Sequence, residues 1–301
     1  MFRVIVPTLN AAGDWPRFSR SLLENVDANH VIVLDSESTD GTQNLVLNAG
    51  MELHSIRRAE FNHGATRQFG AELASEAEIL VYLTQDAVLA SSDAIQRLLA
   101  ALRDPQVGAV WGRQLPRAGA GAIEAHARAF NYPEVSSVRA LESRKYLGLK
   151  AAFLSNSLAA YRRSTLMGVG GFPSDVIFGE DMHVAARMLL SGKKIAYVAD
   201  ACAYHSHNYT STQEFKRYFD IGVLHSRETW LLKEFGSVQG EGKRFVLSEL
   251  QYLFRKNPIQ IPAALLRTAI KLLSYRLGLI EAKLPQRAKR AMSMHPKYWT
   301  S

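Results

Sequence analysis

The sequence predicts an α/β protein: a mostly parallel sheet with helices on its faces, followed by a helical, basic extension. Three observations predict this fold class. Short apolar runs alternate with helix-like stretches, acidic and hydroxyl side chains follow several of those runs, and the carboxyl end combines a long apolar helix with many Lys and Arg residues. Strands separated by helices pair in parallel through right-handed crossovers, and such sheets bind ligands at the carboxyl ends of their strands.

Apolar runs rich in β-branched residues, each ending at turn residues, predict the strands, and helical periodicity between them predicts the helices. The predicted strands are Phe2–Val6, Val31–Leu34, Met51–Ile56, Ile79–Leu83, Gly108–Gly112, Ser157–Tyr161 and Lys194–Val198. The predicted helices are Trp15–Val26, Thr39–Ala49, Ala65–Ser75, Ser91–Leu102, Phe178–Ser191, Gln213–Phe235, Glu241–Phe254 and Ile259–Leu284. A Gly/Ala-rich link at Pro116–Ala122 and an aromatic segment at Ala129–Glu134 interrupt this order.

Composition excludes several classes of protein. Of the 301 residues, 47% are hydrophobic and 21% charged, which supports a packed core and excludes a disordered chain. The single cysteine, Cys202, excludes a disulfide framework and a multi-cysteine metal site. The first residues lack the features of a secretory signal, and no uncharged apolar run reaches the roughly 18 residues of a membrane span. We therefore expect the protein to stay inside the cell.

The net charge of +8 is concentrated at the carboxyl end. Ten of the 36 Lys and Arg residues lie within residues 254–301, where Glu281 is the one acid, so the preceding part of the chain is close to neutral. Because a nucleic-acid-binding protein more often carries its basic patch on the folded body, this distribution argues against nucleic acid as a partner.

The predicted helix Ile259–Leu284 is apolar except for one narrow stripe. The stripe repeats at spacings of three and four residues and consists of Arg267, Lys271, Ser274, Gly278 and Glu281. So wide an apolar face must be buried, either against the rest of the protein or in a membrane interface. The basic cluster that follows, Arg287, Lys289 and Arg290, favours an anionic membrane surface over simple packing.

Polar side chains at three places in the first half point to ligand chemistry. Asp35 ends a strand, where it can accept a hydrogen bond from a pyrimidine imide, whereas Asp40 is better explained as a cap of the next helix. Arg67, early in a helix, can reach a base carbonyl or a phosphate. Asp86 follows another strand and can hold Mg²⁺ or Mn²⁺ with a diphosphate; the alternative is a turn residue.

Several segments together resemble the family 2 glycosyltransferases, which have the GT-A fold, a Rossmann-like mixed sheet flanked by helices. The first four segments are VPTLN, DSESTDGT, GATRQFG and TQDA, and the likeness continues to about residue 255 through GRQLP, FNYP, GGFP, FGED, HSHNY and RYFDIG. The family usually carries Asp-x-Asp; here Thr84 replaces the first acid, which puts metal dependence in doubt, and Asp86 matches the metal-binding acid. The TQDA variant is similar to the rhamnosyltransferase branch, which uses dTDP-L-rhamnose.

This resemblance implies a domain organisation and a donor site. A catalytic domain would span residues 1–235, with the nucleotide-sugar-binding half at 1–104 and the acceptor-binding half at 105–235, and a helical, basic, amphipathic region would cover 236–301. The donor-binding residues implied are Pro7, Thr8, Asn10, Asp35, Arg67, Gln85 and Asp86.

The resemblance also implies the catalytic and metal-binding residues. Asp181 would be the base that deprotonates the acceptor hydroxyl and Glu180 its neighbour, with their order open; the alternative is that both simply begin a helix. His205 would complete a metal site with Asp86, His207 being the other candidate, and a solvated or core histidine pair the alternative.

Acceptor binding is expected where aromatic faces and polar donors mix, although aromatic residues more often belong to a core. The candidates are Trp111, Arg113, Asn131 and Tyr132, with Phe130 beside them.

The resulting expectation is an inverting enzyme that moves L-rhamnose from dTDP-β-L-rhamnose to a saccharide of lipopolysaccharide core or O-antigen. It would work in the cytoplasm, on the cytoplasmic face of the inner membrane. A UDP-hexose-dependent enzyme of the same family is one alternative, and a catalytically silent nucleotide-sugar-binding scaffold is another. Against silence, Asp86, Glu180 and Asp181 are all present.

Overall fold

The computed structural model describes residues 1–205, 209–236 and 240–299. Nine strands form one mixed sheet in these residues. The strands are β1 Phe2–Thr8, β2 Val31–Asp35, β3 Glu52–Ser55, β4 Ile79–Leu83, β5 Val88–Leu89, β6 Val107–Leu115, β7 Ser137–Arg139, β8 Leu158–Arg162 and β9 Lys194–Tyr204. Their order across the sheet is β3-β2-β1-β4-β8-β6-β9-β5, and β7 also pairs with β9.

Helices cover both faces of the sheet and continue beyond it. They are α1 Trp15–Leu23, α2 Thr42–Asn48, α3 His63–Leu73, α4 Ala94–Ala100, α5 Ala122–Asn131, α6 Arg144–Leu147, α7 Arg163–Gly168, α8 Glu180–Leu190, α9 Ser211–Arg227, α10 Thr229–Phe235, α11 Glu241–Lys256, α12 Ile261–Leu279 and α13 Gln286–Met292. The predicted α/β class is therefore confirmed.

The first four strands in the sheet are parallel, and the rest are mixed. β1 lies between β2 and β4, and its register sets Thr8 opposite Asp35. β4 pairs with β8 and β8 with β6 in antiparallel fashion, whereas β6 and β9 run parallel. The carboxyl ends of β1, β2, β4, β6 and β9 consequently meet along one edge of the sheet.

The inner parallel strands β1, β2 and β4 are buried on both faces, which explains their mostly apolar sequences, whereas β3 lies at the sheet edge. In β1, Ile5 packs into one apolar cluster, whereas Val4 and Val6 pack into the cluster on the opposite face. All three side chains are fully buried. Two packed layers hold the strands rigidly, so the polar residues at their ends have well-defined positions.

The structure differs from the sequence prediction at several elements, among them α5, α9 and β9. Helix α5 runs from the last residue of the Gly/Ala-rich link into the aromatic segment. The predicted helix Gln213–Phe235 is broken into α9 and α10 at Glu228, which has ψ 54°. Strand β9 continues past Val198 to Tyr204, across a register shift relative to β6. That extension brings His205 to the ligand-binding edge of the sheet.

Helix α12 packs along α9 through its polar stripe. Arg267 Nε donates to Glu214 Oε2 at 2.6 Å, Lys271 Nζ lies 3.2 Å from Glu214 Oε1, and Ser274 Oγ donates to the carbonyl of Phe215. The charged residues of the stripe therefore face α9 rather than solvent.

Two glycines allow the helices to touch backbone to backbone. A Cβ atom added at Gly278 would lie 2.2 Å from the Phe219 carbonyl oxygen, and one at Gly222 would lie 2.3 Å from the Tyr275 carbonyl oxygen. Gly278 thus lies in the polar stripe because α12 crosses α9 at this position too closely for a side chain to fit.

The wide apolar face of α12 points away from the protein. Leu266 is 62% exposed, and the other exposed large apolar residues on and around this helix are Phe254, Ile259, Leu265, Leu272, Leu273, Leu279 and Ile280. Of the two possibilities raised by the sequence, burial of this face against the rest of the chain is not what the structure shows. Within the described ranges, no helix combines the length and hydropathy needed to cross a bilayer.

Candidate active site

A pocket of about 170 Å³ opens where β1 and β4 end. Its walls bring together residues from the loops after both strands and from helix α3. The lining residues are Pro7, Thr8, Leu9, Phe61, His63, Arg67, Thr84 and Gln85. Four predicted donor-binding residues, Pro7, Thr8, Arg67 and Gln85, therefore share one cavity.

Asp35 organises the floor beside this pocket. Its buried carboxylate accepts hydrogen bonds from Thr8 Oγ1 at 3.0 Å, the Ser38 amide at 2.9 Å and Gln43 Nε2 at 2.7 Å. Asn10, at φ 49°, joins the same loops, because its amide donates to Ser38 Oγ at 2.8 Å. Contact of Asp35 or Asn10 with a nucleotide stays a prediction.

Two further side chains fix the loops around the pocket. Gln85 Oε1 accepts from the Leu9 amide at 2.6 Å and its Nε2 donates to the Leu9 carbonyl at 3.0 Å, which ties the end of β1 to the end of β4. Asp40 accepts from the Thr42 amide at 3.1 Å and the Ala12 amide at 2.9 Å. The cap interpretation of Asp40 agrees with these bonds.

Asp86 and His205 lie side by side although 118 residues separate them in the chain. Asp86 Oδ1 is 3.3 Å from His205 Nε2, and Arg117 Nη2 lies 3.4 Å from Asp86 Oδ2. His205 Nδ1 is 3.1 Å from Gln114 Oε1. Because this amide oxygen only accepts, Nδ1 carries the hydrogen, and in the neutral ring the lone pair of Nε2 faces the Asp86 carboxylate.

This pair of donors fits a divalent cation. An imidazole nitrogen without a proton and a carboxylate oxygen are both ligands that a divalent cation accepts. Mg²⁺ and Mn²⁺ in nucleotide-dependent enzymes commonly use few protein ligands and take the rest from phosphate oxygens and water. No group of three or more His, Cys, Asp or Glu side chains suitable for a metal occurs in the ranges 1–205, 209–236 and 240–299. His207 lies outside these described residues.

Glu180 and Asp181 occupy the first turn of α8, across the site from the pocket. Glu180 is buried, and its Oε1 lies 3.1 Å from Arg67 Nη1, which also donates to the His63 carbonyl at 3.0 Å. Arg67 therefore borders the pocket with one guanidinium nitrogen occupied by Glu180. Its expected contact with base or phosphate stays a prediction.

The two acids have opposite electrostatic surroundings. Burial alone would raise the pKa of Glu180, but the charge of Arg67 more than offsets this and holds the pKa below its ordinary value. For Asp181, burial and then the negative charge of Glu180 raise the pKa to about 7. A carboxylate with a pKa near 7 is suited to accept a proton at physiological pH; the role of Asp181 as the base stays a prediction.

Asn156, which sequence analysis missed, positions both acids. Its amide donates to Asp181 Oδ2 at 3.2 Å and its Nδ2 to Glu180 Oε1 at 3.2 Å, while buried Tyr161 donates to its Oδ1 at 2.6 Å. Gln114, which orients His205, was missed too. Gln114 lies in the segment GRQLP but was not singled out within it, and Asn156, just before β8, has no sequence signal of its own.

The expected acceptor residues divide into two groups. Trp111 is 1% exposed and Tyr132 3% exposed, and both pack around Phe153 and Tyr197. Neither ring presents a face to a sugar, which corrects that prediction: both aromatic residues serve the core.

The remaining two acceptor candidates are partly exposed but already bonded. Arg113 Nη2 donates to Glu134 Oε1 at 2.7 Å, and Asn131 Nδ2 donates to the Ala127 carbonyl at 2.8 Å at the end of α5. Contact of Arg113 or Asn131 with an acceptor stays a prediction.

Comparison with known proteins places this arrangement among sugar-transferring enzymes. The description "Glycosyl transferase family 2" matches residues 3–170. The O-antigen chain rhamnosyltransferase WbaN of Salmonella anatum is 43% identical over 302 residues, covering 100% of this chain and 96% of that protein. The O-antigen chain rhamnosyltransferase RfbN of Salmonella typhimurium is 43% identical over 300 residues, covering 99% of this chain and 96% of its own length.

Solved structures share the fold at low identity. The mannosyltransferase PcManGT of Pyrobaculum calidifontis, in complex with GDP-Man and Mn²⁺, superimposes with a TM-score of 0.55 at 22% identity, covering 99% of this chain and 84% of that one. Residues 1–349 of TarS from S. aureus, in complex with UDP, give a TM-score of 0.55 at 16% identity, covering 94% and 91%.

The family match and the relatives identify a glycosyltransferase, and the mixed sheet that it shares with the solved structures is the GT-A fold. The chain belongs to glycosyl transferase family 2.

Proposed function

We propose that the protein transfers L-rhamnose from dTDP-β-L-rhamnose to a saccharide acceptor of O-antigen or lipopolysaccharide core, with inversion at the anomeric carbon. The sugar and the pathway are supported by the two relatives named as O-antigen chain rhamnosyltransferases, which this chain matches along nearly its whole length. The observation that carries the chemistry is Asp181, a partly buried carboxyl with a pKa of about 7 at the edge of the site.

In the proposed reaction, Asp181 takes the proton of an acceptor hydroxyl as the hydroxyl oxygen attacks the anomeric carbon. The bond from that carbon to the diphosphate breaks, and the diphosphate leaves with the electron pair. Attack opposite the leaving group turns the β-linked donor into an α-L-rhamnoside. Glu180 stays ionised by Arg67, so its charge keeps the proton affinity of Asp181 high.

Asp86 and His205 would hold Mg²⁺ or Mn²⁺, which supplies positive charge to the departing diphosphate. His205 is suited to this because Gln114 fixes its tautomer and leaves Nε2 toward Asp86. Asp86→Asn and His205→Ala should each weaken Mn²⁺ binding about 10- to 100-fold, as measured by calorimetry in the presence of dTDP. Unchanged Mn²⁺ affinity in both variants would remove this site.

Replacement of Asp181 tests the assignment of the base. Asp181→Asn should lower kcat roughly 10²- to 10⁴-fold with the fold intact, because an amide does not accept the proton. Asp175→Asn makes the same chemical change on the exposed loop before α8 and should leave kcat unchanged. Equal turnover of Asp181→Asn and wild type would show that another group is the base.

The donor is tested by thermal stabilisation, since a ligand that binds the folded form raises its melting temperature. We expect dTDP and dTDP-L-rhamnose to raise the Tm more than UDP and UDP-glucose do, and Mn²⁺ to enhance the effect. Stabilisation by the UDP ligands instead would assign a hexose donor. No stabilisation by any of the four would favour a silent scaffold.

We also propose that the exposed face of α12 lies on the anionic cytoplasmic surface of the inner membrane. Apolar side chains cover this face, and basic residues surround it: Arg255, Lys256, Arg276, Lys283, Arg287 and Arg290 are exposed. Each such charge contributes about 1 kcal/mol near acidic lipid, in addition to burial of the leucines. The ion pairs to Glu214 keep the polar side inward, so the apolar side stays available.

Sedimentation with vesicles of phosphatidylglycerol and phosphatidylethanolamine tests this contact. Leu266→Ser combined with Leu273→Ser should reduce vesicle binding without lowering the Tm, because both side chains are already exposed. Leu47→Ser, at a leucine that is 58% exposed on α2, serves as the control. Wild-type protein that does not sediment with the vesicles and forms dimers through this face would contradict the membrane proposal.

A further inference from the structure

We propose that residues 293–299, here called the C-terminal strap, hold the two sides of the active site together, with His295 as the positioning residue. The inference extends the proposed function to the end of the chain and rests on it only for the substrate of the kinetic test. None of the segments that resemble the family includes the strap, which follows α13 and returns to the catalytic edge of the sheet.

The strap is firmly anchored beside α9. Trp299 is 3% exposed and belongs to an apolar cluster with Val176 and Phe219. The guanidinium carbon of Arg227 lies 5.0 Å from the centre of the Trp299 ring, and Lys289 Nζ lies 5.2 Å from it.

A second anchor lies at the start of the strap. The Met294 amide donates to buried Asp220 Oδ2 at 2.8 Å, and the His295 amide donates to Ser293 Oγ at 2.9 Å. With both ends attached to the body, the residues between them have a defined path over the site.

On one side, the strap contacts the loop that leads to the catalytic acids. Tyr298 Oη donates to the Asp175 carbonyl at 3.3 Å, and the His295 ring stacks on Phe178 with centroids 6.2 Å apart. Phe178 is two residues before Glu180, so this stacking bears on the beginning of α8.

On the other side, the strap contacts the wall of the nucleotide pocket. The edge of His295 meets His63 with ring centroids 5.2 Å apart, and Lys297 Nζ donates to the Arg58 carbonyl at 2.6 Å. His63 lines the pocket, and its carbonyl accepts from Arg67, the partner of Glu180. His295 therefore touches the elements that carry both Arg67 and Glu180.

The contact is one of ring packing rather than of charge. Burial lowers the pKa of His295 to about 4, and the neighbouring His63 and Arg217 act in the same direction against the opposing charge of Glu180. The ring is therefore neutral at physiological pH. A neutral aromatic ring of similar size should be able to replace it, whereas an aliphatic side chain should not.

Four full-length variants test the strap. His295→Ala and His295→Leu should lower kcat/KM for dTDP-L-rhamnose about 10-fold through misplacement of the reacting groups, and His295→Phe should restore it to within about twofold of wild type. Met294→Ala, which truncates an exposed neighbouring side chain, should have no effect. Leucine keeps most of the buried volume, so it tests the ring even if the alanine variant does not fold.

Amide hydrogen exchange supplies a second readout that needs no substrate. In His295→Leu, residues 57–67 should exchange faster than in wild type, whereas His295→Phe and Met294→Ala should match wild type. Wild-type exchange and wild-type kcat/KM in His295→Leu would overturn the strap. If His295→Leu exchanges faster but the wild-type protein does not turn over dTDP-L-rhamnose, the role of the strap is supported and the proposed donor is rejected.

Discussion

The active-site edge and the α9–α12 contact both bury an acid against a cation, yet the two regions differ in their balance of charge. At the active site, Glu180 and Asp181 lie next to each other and Arg67 pairs with Glu180. Between α9 and α12, Glu214 lies within ion-pair distance of two cations, Arg267 and Lys271. An excess of acid leaves one carboxyl, Asp181, with a raised pKa, whereas Glu214, paired with two cations, fixes one helix on another.

Removal of the paired acid should have the largest effect on stability in both regions. Glu180→Gln and Glu214→Gln each leave a poorly solvated cation without its anion, so each should lower the free energy of unfolding by about 3 kcal/mol. Urea denaturation measures this. A much smaller loss in Glu214→Gln would show that α12 is held by apolar contacts instead.

The pH dependence of activity should then separate the two variants. In Glu180→Gln, loss of the negative neighbour lowers the pKa of Asp181, so the acidic limb of the kcat/KM profile should move to lower pH. Glu214→Gln should keep the wild-type limb, near pH 7, because burial and the charge of Glu180 are what raise the pKa of Asp181. A limb that moves equally in both variants would reject Asp181 as its source.

A smaller effect is expected on the pH dependence of stability. The folded-state pKa of Asp181 is raised to about 7, so the folded protein binds this proton more tightly than the unfolded chain does. Stability therefore falls as pH rises from about 4 to about 7. Asp181→Asn should match wild type at pH 4 and be the more stable of the two at pH 8; the full shift corresponds to about 4 kcal/mol, which the partial exposure of Asp181 reduces. Asp220 also has a pKa raised to about 7, but it is present in both proteins, so its contribution cancels from the difference in stability between Asp181→Asn and wild type.

The smallest effect is expected at an exposed ion pair, which serves as the reference for the buried ones. Arg57 and Glu60 pair on the surface, and Glu60→Gln should change the free energy of unfolding by less than about 0.5 kcal/mol. A loss as large as that of Glu214→Gln would mean that burial is not what distinguishes these pairs.

The sequence predicted secondary structure well where the local pattern of apolar residues follows directly from burial. β1, β2 and β4 were predicted within two residues of their observed ends because strands buried on both faces are continuously apolar. β5 and β7, with two and three residues, are too short to show a period. Helix α5 was missed because the glycine- and alanine-rich segment just before it resembles a linker.

Sequence reasoning named candidate residues for the site, without Asn156 and Gln114, but it did not give their arrangement. Asp86 and His205 are far apart in sequence, and their approach depends on β9 continuing through a register shift. The Arg67–Glu180 pair was likewise invisible, since either residue alone is a common surface type. For α12, periodicity gave the polar stripe, but only the neighbouring helix decides that the stripe faces inward.

The contact of Gly222 with Gly278 has a geometric consequence for the whole molecule. Because neither position has room for a Cβ atom, α12 has a single permitted roll angle about its own axis on α9. The outward leucines of α12 therefore keep one fixed orientation relative to Asp181. A surface bound by those leucines therefore lies at one fixed distance and angle from the ligand-binding edge of the sheet. That distance limits how far from the surface an acceptor hydroxyl is able to react.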